Sequence, residues 1–258
     1  MKKILMTLLL ILPFCISACS CDRFSLKTYT DAVNHYENSV GLEYTLNKST
    51  LVTDKNIEVQ EEGTYMYTFT PLKKVIDFSS VIKKYEIELK TDGTNGNPNK
   101  VFEIDRYYKG EEKKFYSKDG ITDKRNVENI SYEEKYDENS EYHISNLVPT
   151  FDNDFISNFK ITKHESLKKY SVATFTAACP VTSECDEDLE IVYTVTMDSD
   201  YYFSKIEFTT IKTLKKAVEA TEDTPAVAAV VKTVKYTYEF KNFNDDVKIT
   251  FPNDLVNY

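Results

Sequence analysis

The sequence predicts an α+β protein in which a meandering antiparallel sheet carries helices on one face. Three observations predict it. The apolar content is aromatic in style, with nineteen Tyr, fifteen Phe, no Trp and only six Gly, and Tyr, Phe, Val, Ile and Thr suit a pleated, half-buried surface. Long runs alternate apolar and polar residues with period two. The elements run from a helix through several strands and a helical middle to long strands at the end, and connections this short make neighbouring strands antiparallel. One-sided alternation implies that the same domain covers the apolar face.

The first element is a helix over Phe24–Val40, where Leu26, Tyr29, Val33, Tyr36 and Val40 recur at spacings of three and four. Asp31, Asn34, Glu37 and Asn38 fall elsewhere on the wheel, and Gly41 is placed to stop the helix. The period then changes to two. Tyr65, Tyr67 and Phe69 alternate with Met66 and Thr68, and Tyr85, Ile87 and Leu89 alternate with Glu86, Glu88 and Lys90. Thr91–Lys100 is a Gly/Asn/Pro turn cluster. Val101–Tyr108 and Lys113–Ser117 form a hairpin about Lys109–Glu112, and Asp119-Gly120 marks the next turn. Val127–Tyr142 is polar and acidic, without a clear period. In Ile144–Phe159 the four-residue spacing of Phe151, Phe155 and Phe159 predicts helical pieces, separated by Pro149 from what precedes.

The C-terminal half is the most regular. Val172–Ala177, Leu189–Met197, Tyr201–Lys212 and Lys232–Phe240 are strands, with Asp198-Ser199-Asp200 a tight reversal. In the last strand Val234, Tyr236, Tyr238 and Phe240 share one face, while Lys235, Thr237 and Glu239 share the other. Thr213–Val231 is rich in Ala, Glu and Thr and is interrupted by Pro225; it is expected as an inserted hairpin loop.

Residues Met1–Cys21 carry an address. Lys2 and Lys3 precede the apolar run Ile4–Ile16, the layout of a secretory signal. The run is too short for a spanning helix, which needs roughly 20 apolar residues. Ile16-Ser17-Ala18-Cys19 resembles the lipobox of bacterial lipoproteins. That resemblance implies cleavage before Cys19, a signal over 1–18, a lipidated tether over 19–25 and a single domain over 26–258 with 213–231 inserted. The rival is an unlipidated secreted protein, for which Ile16 is too large at the outer cleavage position. The expected location is the extracytoplasmic face of the cell membrane.

Removal of the signal takes the net charge from -10 to about -12, with 30 basic against 42 acidic side chains. An acidic surface argues against nucleic acid and against charge-driven binding to anionic headgroups. Attachment therefore falls to the acyl chains, each buried methylene contributing about 0.8 kcal/mol. Cys179 and Cys185 lie between two strand-like runs, so their ends could meet across a hairpin mouth. An exported protein permits a disulfide there, and the alternative is two free thiols. Cys21 is left as an odd thiol at the tether.

No motif for catalysis, phosphate binding or zinc is present. His35, His143 and His164 have no motif spacing, and Asp186-Glu187-Asp188 and Asp198-Ser199-Asp200 lack the ligand spacing of a calcium loop. Neither an enzyme nor a metal or other cofactor is expected. What remains is the aromatic inner face. It is either a packed core or the wall of an apolar cavity, and both need the same residues pointing inward. Strand alternation places Tyr65, Tyr67, Phe69, Ile87, Leu89, Tyr193, Val195, Tyr236, Tyr238 and Phe240 there.

Tyr236-x-Tyr238-x-Phe240-x-x-Phe243-Asn244-x-x-Val247-x-Ile249-x-x-Pro252 resembles the closing segment of one lipoprotein superfamily. It includes the carriers and receptors of the Lol system (LolA and LolB) and the mycobacterial LppX/LprG-type lipoproteins. The order of elements over Leu26–Pro252 is similar as well. The resemblance implies a strongly curved antiparallel sheet, a half-open barrel, with helices covering its concave face and a lipid or other hydrophobic ligand between them. The protein is expected to be a monomer tethered through Cys19. The Thr213–Val231 insertion and the Cys179–Cys185 loop depart from the pattern. The competing expectation is an envelope-structural or protein-interaction lipoprotein of the same fold with a filled core.

Overall fold

The computed structural model describes residues 27–90, 95–135, 156–163, 171–178, 185–186, 189–219 and 225–258. Helix α1 (27–37) buries Tyr29, Ala32 and Tyr36 along one stripe, the face set by spacings of three and four. The chain then enters β1 (Gly41–Val52), β2 (Ile57–Thr70), β3 (Val75–Glu88), β4 (Asn99–Lys109), β5 (Lys114–Asp119) and β6 (Arg125–Asn129). The single turn α2 (Tyr132–Lys135) follows. The second half supplies β7 (Ser157–Lys163), β8 (Ser171–Ala178), β9 (Glu190–Met197), β10 (Phe203–Lys215) and β11 (Val230–Phe243).

All eleven strands form one sheet in the order β6-β5-β4-β3-β2-β1-β11-β10-β9-β8-β7, and every pairing is antiparallel. Each half of the chain is a meander, and the two are sewn together where the first strand meets the last. The sheet is open, with β6 and β7 as its outermost strands. Register shifts interrupt the ladders at Glu43/Tyr44, Lys84/Tyr85 and Phe203/Lys205, and such bulges bend a strand and raise its twist.

Two outcomes differ from the sequence reading. Gly41–Val52 has only a brief alternation (Leu42, Tyr44, Leu46), yet it is the central strand, held on both sides by β2 and β11. Phe159 is not helical. It lies in β7, where its ring meets those of Phe175 at 6.2 Å and Tyr29 at 5.8 Å; pairing with β8 and this aromatic contact outweigh a four-residue spacing. Residues 144–155 lie outside the described residues.

The connection between β10 and β11 carries one further bridge, Val218–Val227, with two N–H···O bonds of 2.9 Å. After β11 a 3-10 turn at Asn244–Asp246 redirects the chain, and Phe251, Leu255 and Tyr258 pack behind the sheet on Tyr107 and Tyr116. Arg125 fastens this tail by an ion pair to Asp254 at 3.3 Å and by lying over the Tyr258 ring.

Gly41 is fixed by closeness. A Cβ there would lie 2.3 Å from the carbonyl oxygen of Asn244, a backbone atom, and the Asn244 side chain accepts the Val40 N–H at 3.0 Å. Gly41→Ala should therefore cost about 2–3 kcal/mol through forced displacement of that turn. A urea midpoint unchanged from the wild type would show that the turn moves freely.

Candidate functional site

Register and alternation together assign the inner face row by row. One row runs Leu42, Tyr67, Phe78, Tyr108 and Phe115 across β1 to β5. The next runs Tyr44, Tyr65, Ser80, Arg106 and Ser117, and a third runs Leu46, Gly63, Ile82 and Ile104. In a fourth, Lys48, Glu61, Lys84 and Phe102 bring charge to the Val52 end of the face. Lys84 pairs with Glu61 at 2.9 Å and lies over the Phe102 ring, and Lys48 lies over Tyr236. On the other side, Phe240, Tyr238 and Tyr236 continue these rows into β11, and Ile206, Phe208, Val195 and Tyr193 carry them outward.

The face is knitted by rings. Tyr44 stacks on Tyr65 at 5.0 Å and meets Tyr238 and Phe240 at 5.9 and 5.8 Å. Phe208 stacks on Tyr236 at 4.6 Å and leans on Tyr193 at 4.9 Å. Such pairs contribute roughly 0.5–1.5 kcal/mol each beyond the area they bury. Two pieces of helix touch the face. Tyr29 of α1 meets Phe175 at 5.1 Å and Tyr36 meets Phe203 at 6.1 Å. Tyr132 of α2 meets Tyr108, Phe78 and Tyr67 between 5.6 and 6.4 Å.

Of the ten residues placed inward by alternation, eight reach this face. Tyr65, Tyr193, Val195 and Tyr238 are buried; Tyr67, Phe69, Tyr236 and Phe240 are half-buried. Ile87 and Leu89 do not join them. Counting by twos from Phe78, Ser80 and Ile82 reaches Glu86 and Glu88, and Ile87 pairs with Glu58 on the opposite side. Leu89 falls beyond β3, in an isolated bridge with Asn95. The alternation of Tyr85, Ile87 and Leu89 is real, but it lies on the opposite side of the sheet, where Ile87 is nevertheless buried while Glu86 and Glu88 are exposed. Conversely Tyr44, Phe78, Tyr108, Tyr132 and Phe208 belong to the face and escaped the sequence reading, although Leu42-x-Tyr44-x-Leu46 and Tyr108-to-Phe115 carry the period.

Burial shapes the electrostatics. The phenols of Tyr29, Tyr44 and Tyr193 are held well above their ordinary range, chiefly because burial disfavours the charged form. Around Tyr44 the phenols of Tyr65, Tyr238, Tyr36 and Tyr132 push the same way. Behind the sheet Tyr107 is pushed up to about 12, by burial first and then by Asp105.

Two open hollows are present, and the larger borders the inner face through Phe203 and Phe240. A cleft of about 520 Å³ is lined by Asp198, Asp200, Tyr202, Lys241, Asp245 and Asp246, among others. A hollow of about 210 Å³ behind Gly63 is lined by Thr45, Asn47, Glu62 and Lys83, among others. In the first, one carboxylate oxygen of Asp198 accepts the N–H groups of Asp200 and Tyr202 at 2.9 Å, which makes it a turn cap. Among the described residues no group of three or more His, Cys, Asp or Glu is arranged to hold a metal ion. Cys185 is buried and disulfide-bonded, while Cys179 lies outside the described residues, as do Cys19 and Cys21.

Fold and face together define a class: an open antiparallel sheet, aromatic on one side, with a helix laid against that side. No family model matches the chain, and no curated protein matches its sequence. Solved structures similar to it include LprF from Mycobacterium bovis, at 10% identity over 90% of this chain and 97% of the other, with a TM-score of 0.46. LppX from Mycobacterium tuberculosis is similar at 10% identity over 89% and 100%, with a TM-score of 0.43. A LolA superfamily protein from Nitrosomonas europaea is similar at 8% identity over 88% and 97%, with a TM-score of 0.24.

Proposed function

We propose that the chain is an extracytoplasmic lipoprotein, held to the cell membrane by acyl chains on Cys19, whose inner face takes up a lipid or another hydrophobic ligand. In this reading the sheet is strongly curved, a half-open barrel, and the helices cover its concave side as a cover that a ligand can enter beneath. The observation that carries it is the character of the face. Aromatic and aliphatic side chains dominate the face from β5 to β8, interrupted by Gly63, Ser80, Arg106 and Ser117, and several of the largest, Tyr67, Phe69, Phe102, Tyr236 and Phe240, stay half-buried. Large apolar side chains left half-buried together on one face normally have a partner. The role is binding rather than catalysis, with no cofactor. The Cys179–Cys185 bridge belongs to the same proposal, with Cys185 supplying one half.

A second reading is favoured by the dense ring packing about Tyr44 and Tyr193: a filled core, in a lipoprotein acting through its acidic surface. Native mass spectrometry of the mature protein separates the two. The first reading expects a co-purifying lipid and uptake of a fluorescent fatty acid, together with a diacylated N-terminal Cys19. Repeated recovery of an empty protein that ignores such probes would establish the second.

A further inference from the structure

We infer that the larger cleft, at the Gly41 end of the sheet, binds a linear polyamine, with carboxylates on its ammonium groups and ring faces along its methylenes. The cleft lies where β10 begins and β11 ends. Its role does not depend on the ligand-binding reading of the inner face. Its volume of about 520 Å³ falls within the roughly 300–1,000 Å³ of small-molecule sites. Four aspartates, Asp198, Asp200, Asp245 and Asp246, line it against one lysine, Lys241. Asp198 is occupied by its own turn, as the N–H groups of Asp200 and Tyr202 donate to one of its oxygens. Asp200, Asp245 and Asp246 are exposed and form no ion pair among the described residues. Elsewhere on the surface Glu61, Glu103 and Glu111 each pair with a lysine. Negative charge in this cleft is not neutralised in that way.

The lining is also aromatic. Tyr202, Phe240 and Phe243 line the cleft and stay half-buried. Tyr202 meets Phe243 at 4.7 Å, and Phe243 stacks on Phe240 at 5.7 Å. Ring faces attract weakly hydrated organic cations and give methylene groups an apolar bed. They offer nothing to a hard metal ion, which takes oxygen ligands. The carboxylates point the same way. Among the described residues no three His, Cys, Asp or Glu side chains are grouped to hold a metal ion, so the charges along this cleft stand apart. Separated carboxylates beside apolar rings match ammonium groups spaced by methylenes. Asn244 ties the two parts of the site together. Its Nδ2 donates to the Tyr202 hydroxyl at 3.4 Å, and it opens the 3-10 turn that carries Asp245 and Asp246.

The test is isothermal titration calorimetry of the mature protein at low salt, where exposed charge is least screened. Spermidine is the probe, and choline, with one quaternary ammonium, and calcium chloride are the comparators. The wild type should bind spermidine at least about tenfold more tightly than choline, because several ammonium groups engage at once. Calcium should not displace it. Asp245→Asn combined with Asp246→Asn should weaken spermidine by about tenfold, and Tyr202→Leu by about threefold to tenfold. Tyr202→Phe keeps the ring face and should stay within about twofold of the wild type. Asp54→Asn removes an exposed carboxylate from the turn after β1, at the other end of the sheet, and should change nothing. Circular dichroism checks that each variant keeps its sheet; should Tyr202→Leu fail to fold, the exposed aspartate pair decides. No binding of spermidine overturns the inference. So does an equal loss in Asp54→Asn, which would reveal diffuse charge alone, or full affinity in a folded Tyr202→Leu. Equal affinity for choline, or displacement by calcium, overturns it by making the cleft a site for a single cation.

Discussion

Tyr238→Asp should leave most of the protein unfolded at 25 °C, whereas Thr237→Asp, one residue away, should shift stability by about 1 kcal/mol or less. Tyr238 is 6% exposed, pairs with Leu46 and Ile206, and packs its ring on Tyr44 and Phe208. Aspartate there removes an aromatic ring and leaves a carboxylate in an apolar layer, a change worth on the order of 5 kcal/mol. That approaches the whole stability of a typical domain. Thr237 points to the other side, between Asn47 and Glu207. A new carboxylate there meets solvent and one like charge across the ladder, which costs little. Urea unfolding followed by circular dichroism measures both, and equal tolerance of the two changes would sink the assignment of the inner face.

A steep loss of structure above pH 10 is the second large effect expected. Burial raises the phenol pKa of Tyr29, Tyr44 and Tyr193 in the folded state. The stability they confer is complete below the unfolded value near 10 and is lost as pH rises through the raised folded values. As pH rises past 10 the unfolded chain, whose phenols ionise first, gains relative stability from each of the three residues. Tyr107, raised to about 12 on the outer side, adds to the same trend. Absorbance at 295 nm should show only some of the nineteen tyrosines ionising near pH 10. The remainder should ionise together with the loss of the far-ultraviolet β-signal. Smooth ionisation of all nineteen near pH 10 with the sheet intact would refute the burial pattern.

Much of the sheet was legible residue by residue. Tyr201–Lys212 and Lys232–Phe240 were recognisable because each alternates over many residues, and alternation of that length seldom arises outside a half-buried strand. β1 was obscure because Asn47, Lys48 and Ser49 interrupt its pattern; its burial comes from flanking strands far away in sequence, β2 on one side and β11 on the other. Ile87 shows the limit most sharply. Its alternation with Glu86 and Glu88 identifies a buried position between two exposed ones, yet nothing local says on which side of the sheet it is buried.

The second row of the inner face depends still more on assembly. Tyr44, Tyr65 and Ser80 are far apart in the chain, and only two registers set them side by side. Periodicity and composition were therefore enough to specify an aromatic antiparallel sheet and an amphipathic first helix, because those follow from local backbone geometry. Strand partners, the inward face of each strand and the rows that cross the ladder came from long-range pairing, since a one-residue change of register exchanges the two faces without altering the local pattern.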